Sequence, residues 1–410
     1  MLEILFVSLL GSSFGIALGL LPGMHINNVI PLILSLSAFF NSPYLLAIFV
    51  VSTAITQIFV SYIPSIFLGA PEEGTSLAVL PGHRLLLEGR GYEAIKLTVI
   101  GSVGSLIFGI IVITLLKDVF GYVYEISRPY IHFCISGVAV FMILSEKKAK
   151  KILSASLVFA LSGIFGVMVL NSSVLSSKNA LFPILSGLFG LSLLVANTSE
   201  KSKIPSQQGD SRLNISKIEM IKSIFLGTVA GIMVGLLPAI GVSQAATLVQ
   251  LGGGEGRNFL VTISGINVAN EVFSLISLFL VGNPRSGASV AIQTILGELS
   301  GWDVVLLVGV ICFTSGLAAV ITLYLGKKIP KFLARLNYKM ISISIILFVS
   351  SLVFILNGPA GILILLTAIS IGLTANYLGI RKGHCMGCLL LPSIMFFAGL
   401  NPLIISILRI

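Results

Sequence analysis

The sequence predicts an all-α integral membrane protein with about 12–14 transmembrane helices. They are expected in two inverted-topology repeats that contain Pro/Gly-broken or re-entrant helices. Three observations predict it: a composition that cannot face water, uncharged stretches of membrane length, and Pro/Gly elements that recur in the second half. Of the 410 residues, 56% are hydrophobic and 10% charged, against about 25% charged in an average soluble domain. A mean hydropathy of +1.07 leaves too few polar side chains for a solvated surface. A long soluble enzyme, a disordered chain and a disulfide scaffold are thereby excluded. Lys+Arg outnumber Asp+Glu by 25 to 15, a net charge of +10. The basic residues sit in short runs between apolar spans rather than on one folded face, so no nucleic-acid partner is expected.

A membrane helix needs about 20 apolar residues at 1.5 Å rise each. Stretches free of Asp, Glu, Lys, Arg and His run 4–24, 26–71, 97–116, 152–177, 179–199, 223–254, 304–326, 340–380 and 385–408. Two of them are long enough to divide, at Asn41-Ser-Pro43 and at Asn357-Gly-Pro-Ala-Gly361. Residues 129–145 and 258–281 add spans with one polar interruption each. Segments 26–40 and 241–251 are short for a crossing and leave a re-entrant course open. The first apolar run continues into Gly19-Leu-Leu-Pro22-Gly23 without a small-residue cleavage pattern, so no removable signal peptide is expected.

Positive loops stay cytoplasmic. With loops 72–96, 146–151, 198–222, 252–257, 326–339 and 379–384 inside, that face holds 20 of the 25 basic residues. The expectation is a multi-pass protein of the cell membrane with both termini extracytoplasmic. The polar, Pro/Gly-containing segment 198–222 then forms a cytoplasmic linker between membrane repeats 1–197 and 223–410. The runs 146–151 and 327–339 are topology anchors.

The repeats are visible in two alignments. Gly15 to Asn28 matches Gly231 to Gln244 with six of fourteen positions identical, Pro22 falling on Pro238. Gly69 to Ala78 matches Gly282 to Ala291 with five of ten identical, Pro71 falling on Pro284. The intervals are 49 residues in the first half and 46 in the second. An odd number of crossings per half makes the copies opposite in orientation. A proline removes an amide donor from a helix and clashes with the preceding turn, and flanking glycines ease departure from helical geometry. Backbone freed at membrane depth is tolerated only in protein or beside a polar cavity. Paired interruptions of this kind mark the binding site of secondary transporters, and the helix starting after each break directs N–H groups at an anion.

These elements resemble the large membrane permease subunit of the tripartite tricarboxylate transporters, the TctA family. The resemblance rests on Gly19-Leu-Leu-Pro22-Gly23, on Ile63 to Thr75, on Leu80 to Ala94, on Gly235-Leu-Leu-Pro238-Ala-Ile-Gly241, on Gly265 to Asn270 and on Gly282 to Ala288. It implies a cation-driven importer of small carboxylates that works with a small membrane subunit and an extracytoplasmic solute-binding protein. The chain is shorter than the bacterial subunits, carries Glu72-Glu73 and Arg285 where they have small neutral residues, and looks closer to compact archaeal-type members.

Individual residues divide between chemistry and structure. Pro22 and Pro238 are the helix breaks. Beside them, Gly23, His25, Asn27 and Asn28 in the first half, and Gly241, Ser243 and Gln244 in the second, are candidates for lining a substrate cavity. His25 could also carry a coupling proton, its ordinary pKa being about 6.5, or simply bond freed backbone. Pro71, Gly74 and Thr75, with Arg285, Ser286 and Gly287, form the two loops expected at the substrate. The guanidinium fork of Arg285 suits a carboxylate or phosphate. Asn267, Asn270 and Glu271 lie within an apolar span. A carboxylate at membrane depth costs at least about 2.5–3.5 kcal/mol and usually faces a pathway, so Glu271 is the candidate coupling-ion residue; solvation near a helix end is the alternative. Glu72 and Glu73 are read as a solvated pair. Of the cysteines, only the His384-Cys385-Met-Gly-Cys388 cluster has a metal-like spacing, and packing between helices accounts for all four. No metal site and no cofactor is expected.

The expected function is transport of a small organic anion, carboxylates foremost, coupled to Na⁺ or H⁺ by alternating access across the lipid bilayer. A translocase for an anionic lipid carrier such as a polyprenyl phosphate is the alternative. A non-transporting assembly subunit is a third class, and it would need neither paired breaks nor an intramembrane carboxylate. The sequence holds no GxxxxGK[ST], HExxH or GxSxG motif, so an enzyme is not expected.

Overall fold

The computed structural model describes residues 2–21, 26–68, 73–127, 130–146, 148–172, 175, 177–197, 207–208, 213–236, 241–251, 256–282, 284–333 and 338–400. In chain order the first half contains α1 (Leu2–Leu20), α2 (Ile26–Ser35), α3 (Pro43–Val60), α4 (Tyr62–Leu68), α5 (Val79–Leu87), α6 (Gly91–Ser127), α7 (Ile131–Leu144), α8 (Ala149–Asn171), α9 (Ser177–Leu185) and α10 (Ser192–Asn197). Short 3-10 turns at Leu36–Phe39 and Glu73–Ala78 and a π-helical turn at Ser186–Leu191 join some of them. The second half contains α11 (Lys217–Leu236), α12 (Val242–Leu251), α13 (Gly256–Val281), α14 (Gly287–Leu296), α15 (Gly301–Leu333), α16 (Tyr338–Tyr377) and α17 (Gly387–Phe397). Among the described residues there is no strand, and eight helices are long and apolar enough to cross a membrane.

The protein is an all-α integral membrane protein, and its surface shows why. Leu153, Leu157, Leu161, Ile164 and Met168 form an exposed stripe along α8, and Ile218, Ile221, Phe225, Val229 and Met233 do so along α11. Continuous apolar ridges of this kind suit lipid, not water. Two helices are shielded from it. The apolar window of α3 and α4 is 100% buried and that of α13 is 89% buried, whereas the other spans are between 33% and 44% buried. Helices α3 and α13 are therefore the central elements.

Glycines at four-residue intervals set the packing around them. A methyl group at Gly11, Gly15 or Gly19 of α1 would stand 2.7 Å from the Phe49 carbonyl oxygen, 2.6 Å from that of Thr53 and 3.0 Å from that of Gln57. At Gly227, Gly231 or Gly235 of α11 it would stand 2.7 Å from the carbonyl oxygen of Thr262, 2.8 Å from that of Ile266 and 3.1 Å from that of Asn270. Small residues spaced this way let helix backbones touch. In both pairs the numbers rise together, so α1 runs parallel to α3 and α11 parallel to α13. Helix α2 with its 3-10 turn is then the return leg between α1 and α3, and α12 has the same place between α11 and α13. The short segments 26–40 and 241–251 thus bring the chain back.

Helices α3 and α13 run antiparallel to each other. Tyr62 meets Asn267, while Val51 and Ile55 share a cavity with Glu271 and Leu275. Helix α6 lies parallel to α13, with Gly101 against Val261 and Ser264, Gly265 against Ser105, and Gly109 against Phe273. Helix α16 is two limbs, 338–357 and 359–377, joined at Gly358 with φ +63°. A methyl group at Gly361 would stand 3.1 Å from Val353 Cγ1, so the limbs fold back on each other as the Asn357-Gly-Pro motif predicts.

Two boundaries differ from expectation. Helix α11 begins at Lys217, inside the segment expected as linker, because Ser216 and Glu219 form a capping box. The Ser216 N–H donates to Glu219 Oε2 at 3.1 Å, and the Glu219 N–H donates to Ser216 Oγ at 3.2 Å. Helix α6 extends beyond the uncharged stretch 97–116 at both ends, its ends leaving the apolar layer. Around its start, the buried Glu93 carboxylate takes Arg90 at 2.7 Å, Arg257 at 3.0 Å and the Asn214 N–H at 3.0 Å. Gln207 donates to the Leu86 carbonyl and accepts from the Gly91 N–H, both at 2.9 Å. Gln207 and Asn214 thus fasten described parts of the linker to the first half, and Arg257 ties the second half to the same carboxylate.

Candidate functional site

The site is built where α3 and α13 cross. Gln57 lies fourteen residues into α3 and Asn270 fourteen residues into α13, about 21 Å along each helix at 1.5 Å per residue. Both therefore sit at membrane depth. Gln57 is fully buried, and its Oε1 accepts the N–H of Ile26, the first residue of α2, at 3.3 Å. The helix that follows the first break therefore starts at the level of Gln57, inside the protein. Helix α12 starts after Gly241, whose carbonyl accepts the Ala245 N–H at 3.2 Å.

Two hairpins enter from opposite ends of the crossing. The first carries Gly74 and Thr75 to α13. Asn267 uses both amide hydrogens here, donating to Tyr62 Oη at 2.8 Å and to the Gly74 carbonyl at 2.9 Å. Its side-chain amide would clash with a Cβ on Gly74, so any larger residue there would displace Asn267. Thr75 is buried, with Oγ1 2.6 Å from Ser65 Oγ. Helix α12 packs on this turn.

The second hairpin carries Ser286 to Glu271. Ser286 Oγ donates to Glu271 Oε1 at 2.8 Å, accepts the Ser289 N–H at 3.1 Å and lies 2.8 Å from Ser289 Oγ. Ser286 is the N-cap of α14, which fixes the hydroxyl and so the carboxylate. A cavity of ≈ 10 Å³ beside Glu271 is lined by Val51, Ala54, Ile55, Leu275, Ser289, Ile292 and Ile311. Arg285 is half-buried next to this network. Helix α14 packs against α2 and α3.

The structure brings Gly74, Thr75 and Asn267 together, and separately Glu271, Ser286 and Gly287. Asn270 is half-buried one residue from Glu271. Pro22, Gly23, His25, Pro71 and Pro238 lie outside the described residues, as do the side chains of Asn27, Asn28, Ser243 and Gln244. The sequence reading missed Gln57, Tyr62 and Ser65. A signal for Gln57 exists: the 213-residue offset that places Pro71 on Pro284, carried back along α3, places Gln57 on Asn270.

A buried helix crossing, hairpins reaching its two sides and an exposed apolar surface define a polytopic α-helical membrane protein. The chain belongs to the tripartite tricarboxylate transporter TctA family, whose pattern fits residues 5–387, so it is of the permease kind, in a family of transporters. It is 32% identical over 407 residues to an uncharacterized protein of Methanocaldococcus jannaschii, covering 97% of this chain and 99% of the other. No solved structure matches it.

Proposed function

We propose that this protein is a secondary permease for small organic anions, carboxylates foremost, coupled to Na⁺ or H⁺. Its two halves, 1–197 and 223–410, act as inverted repeats of about seven crossings each. The antiparallel run of α3 and α13, each paired in parallel with its own first helix, is the observation that carries the reading. It brings two hairpins and the start of α2 to one buried crossing, an arrangement in which one half can move against the other around a fixed site. Arg285 anchors the anion and Glu271 takes the cation. Gln57 is the amide group beside the start of α2, and Asn270 is its counterpart in the second repeat. The family name supports a tricarboxylate or similar substrate, with a small membrane subunit and an extracytoplasmic solute-binding protein as partners. The charge distribution supports both termini outside the cell membrane.

The test is uptake by purified protein in liposomes, over a panel of mono-, di- and tricarboxylates under imposed Na⁺ or H⁺ gradients. Gradient-dependent accumulation of at least one carboxylate is expected, and added solute-binding protein should lower the substrate concentration needed. Failure with every carboxylate, with and without partner subunits, would move the assignment to an anionic lipid carrier.

A further inference from the structure

Two hollows lie along the seam between α3 and α14. One, ≈ 350 Å³, is lined by Leu34, Ser37, Ser42, Leu46, Thr294 and Ile295 among others. Ser37 and Thr294 on its walls are exposed. The other is the ≈ 10 Å³ cavity at Glu271. Both hollows are lined by α3 and α14. On α14 the linings continue each other from Ile295 to Ile292 and Ser289, while on α3 Leu46 lines the larger hollow and Val51, Ala54 and Ile55 the smaller. The two are about 4.5 Å apart along α14 and about 7.5 Å apart along α3. The larger hollow opens at the turn that joins α2 to α3 and at the outward end of α14, the face that the basic residues leave outside.

We propose that this seam is the extracytoplasmic entry route of the coupling cation to Glu271. The proposal rests on the reading of Glu271 as the coupling carboxylate. Size separates the cation's path from the substrate's. A cavity of ≈ 10 Å³ holds about one water-sized body, whereas ligand pockets measure about 300–1,000 Å³. A proton relayed by water or one small monovalent ion can reach the carboxylate this way, and a tricarboxylate cannot. Ser286 and Ser289 stand at the inner end, and the Ser286 hydroxyl that bonds Glu271 can also rotate to accept from a water. Val51 of α3 and Ile292 of α14 are apolar and both line the inner cavity, so closing α14 onto α3 would seal Glu271 from that face.

The experiment is access of small cations to Glu271, which needs no transported substrate. Right-side-out and inside-out vesicles holding the full chain are given a sudden step in external H⁺ or Na⁺. The carboxyl band of Glu271 is followed by time-resolved infrared difference spectroscopy, with Glu271→Gln as the blank. A response in right-side-out vesicles several-fold faster than in inside-out ones is expected. Reacting Thr294→Cys, or Ser37→Cys on the opposite wall, with a bulky membrane-impermeant thiol reagent should abolish the fast response, while the same reagent on the parent chain should not. A response from the cytoplasmic face alone, a fast outer response that survives both blocks, or no response from either face would overturn the route. Normal uptake by Glu271→Gln would instead remove the coupling role, and the response pattern would still decide the route.

Discussion

Asn267 separates structural from transport chemistry. Its amide hydrogens are both engaged, by Tyr62 Oη and by the Gly74 carbonyl, so it holds the first hairpin on α13. Asn267→Ala takes a partner from two groups inside the protein, at about 1–3 kcal/mol for each one left unsatisfied. The melting temperature in detergent should fall by several degrees, and Tyr62→Phe, which removes the hydroxyl that Asn267 bonds, should lower it less. Glu271→Gln behaves differently. Its side chain still accepts from Ser286, so melting should stay close to the parent while gradient-driven uptake is lost; retained coupling would exclude the residue. Arg285→Lys keeps the charge and loses the planar fork. Apparent affinity for carboxylate should weaken about tenfold, a 1.4 kcal/mol change, and unchanged affinity would count against the anchor. Gln57 was missed, whereas Asn267, Asn270 and Glu271, in the same kind of span, were legible in the sequence because polar side chains in an apolar span stand out. Their partners were not. The Ser286–Glu271 bond depends on the chain turning back into the protein after Gly282, and Tyr62 comes within reach of Asn267 only through the antiparallel crossing of two distant helices.

At the level of elements, the two glycine combs make matched claims. Gly15→Leu in α1 and Gly231→Leu in α11 each force a branched side chain against a backbone carbonyl less than 3 Å from the first carbon. Overpacking of this kind costs about 1–3 kcal/mol. Both variants should melt earlier and by comparable amounts. Gly137→Ala in α7, where a methyl group meets nothing within 4 Å, should be neutral or slightly stabilising, by up to about 1 kcal/mol of helix propensity. Unequal losses in α1 and α11 would argue against equivalent packing in the two halves. The combs are plain in the sequence as Gly11, Gly15, Gly19 and Gly227, Gly231, Gly235, and so are the breaks that follow. What composition could not give was the direction of the short helices. Segments 26–40 and 241–251 read as ambiguous until the parallel runs of α1 with α3 and of α11 with α13 required a return between them. Helix α11 likewise starts earlier than the apolar stretch suggests, since Ser216 and Glu219 nucleate it outside the membrane.

Across the whole molecule, the halves trade elements. Helix α6 from the first half rests on α13 of the second, with Ser102 Oγ donating to the Ser264 carbonyl at 3.4 Å, and α15 from the second rests on α3 of the first. Helix α8 packs on α17 in the same exchanged fashion. The fold class was legible from composition. This interleaving was not, because nothing in an apolar helix announces which neighbour its glycines will touch. It has a practical result for anyone who divides the gene. Two polypeptides cut between residues 201 and 203 should each be degraded when made alone, since each would present to lipid the polar groups of its central helix. Made together they should co-purify as one heterodimer and regain function, held by knitted helices rather than by the severed strand.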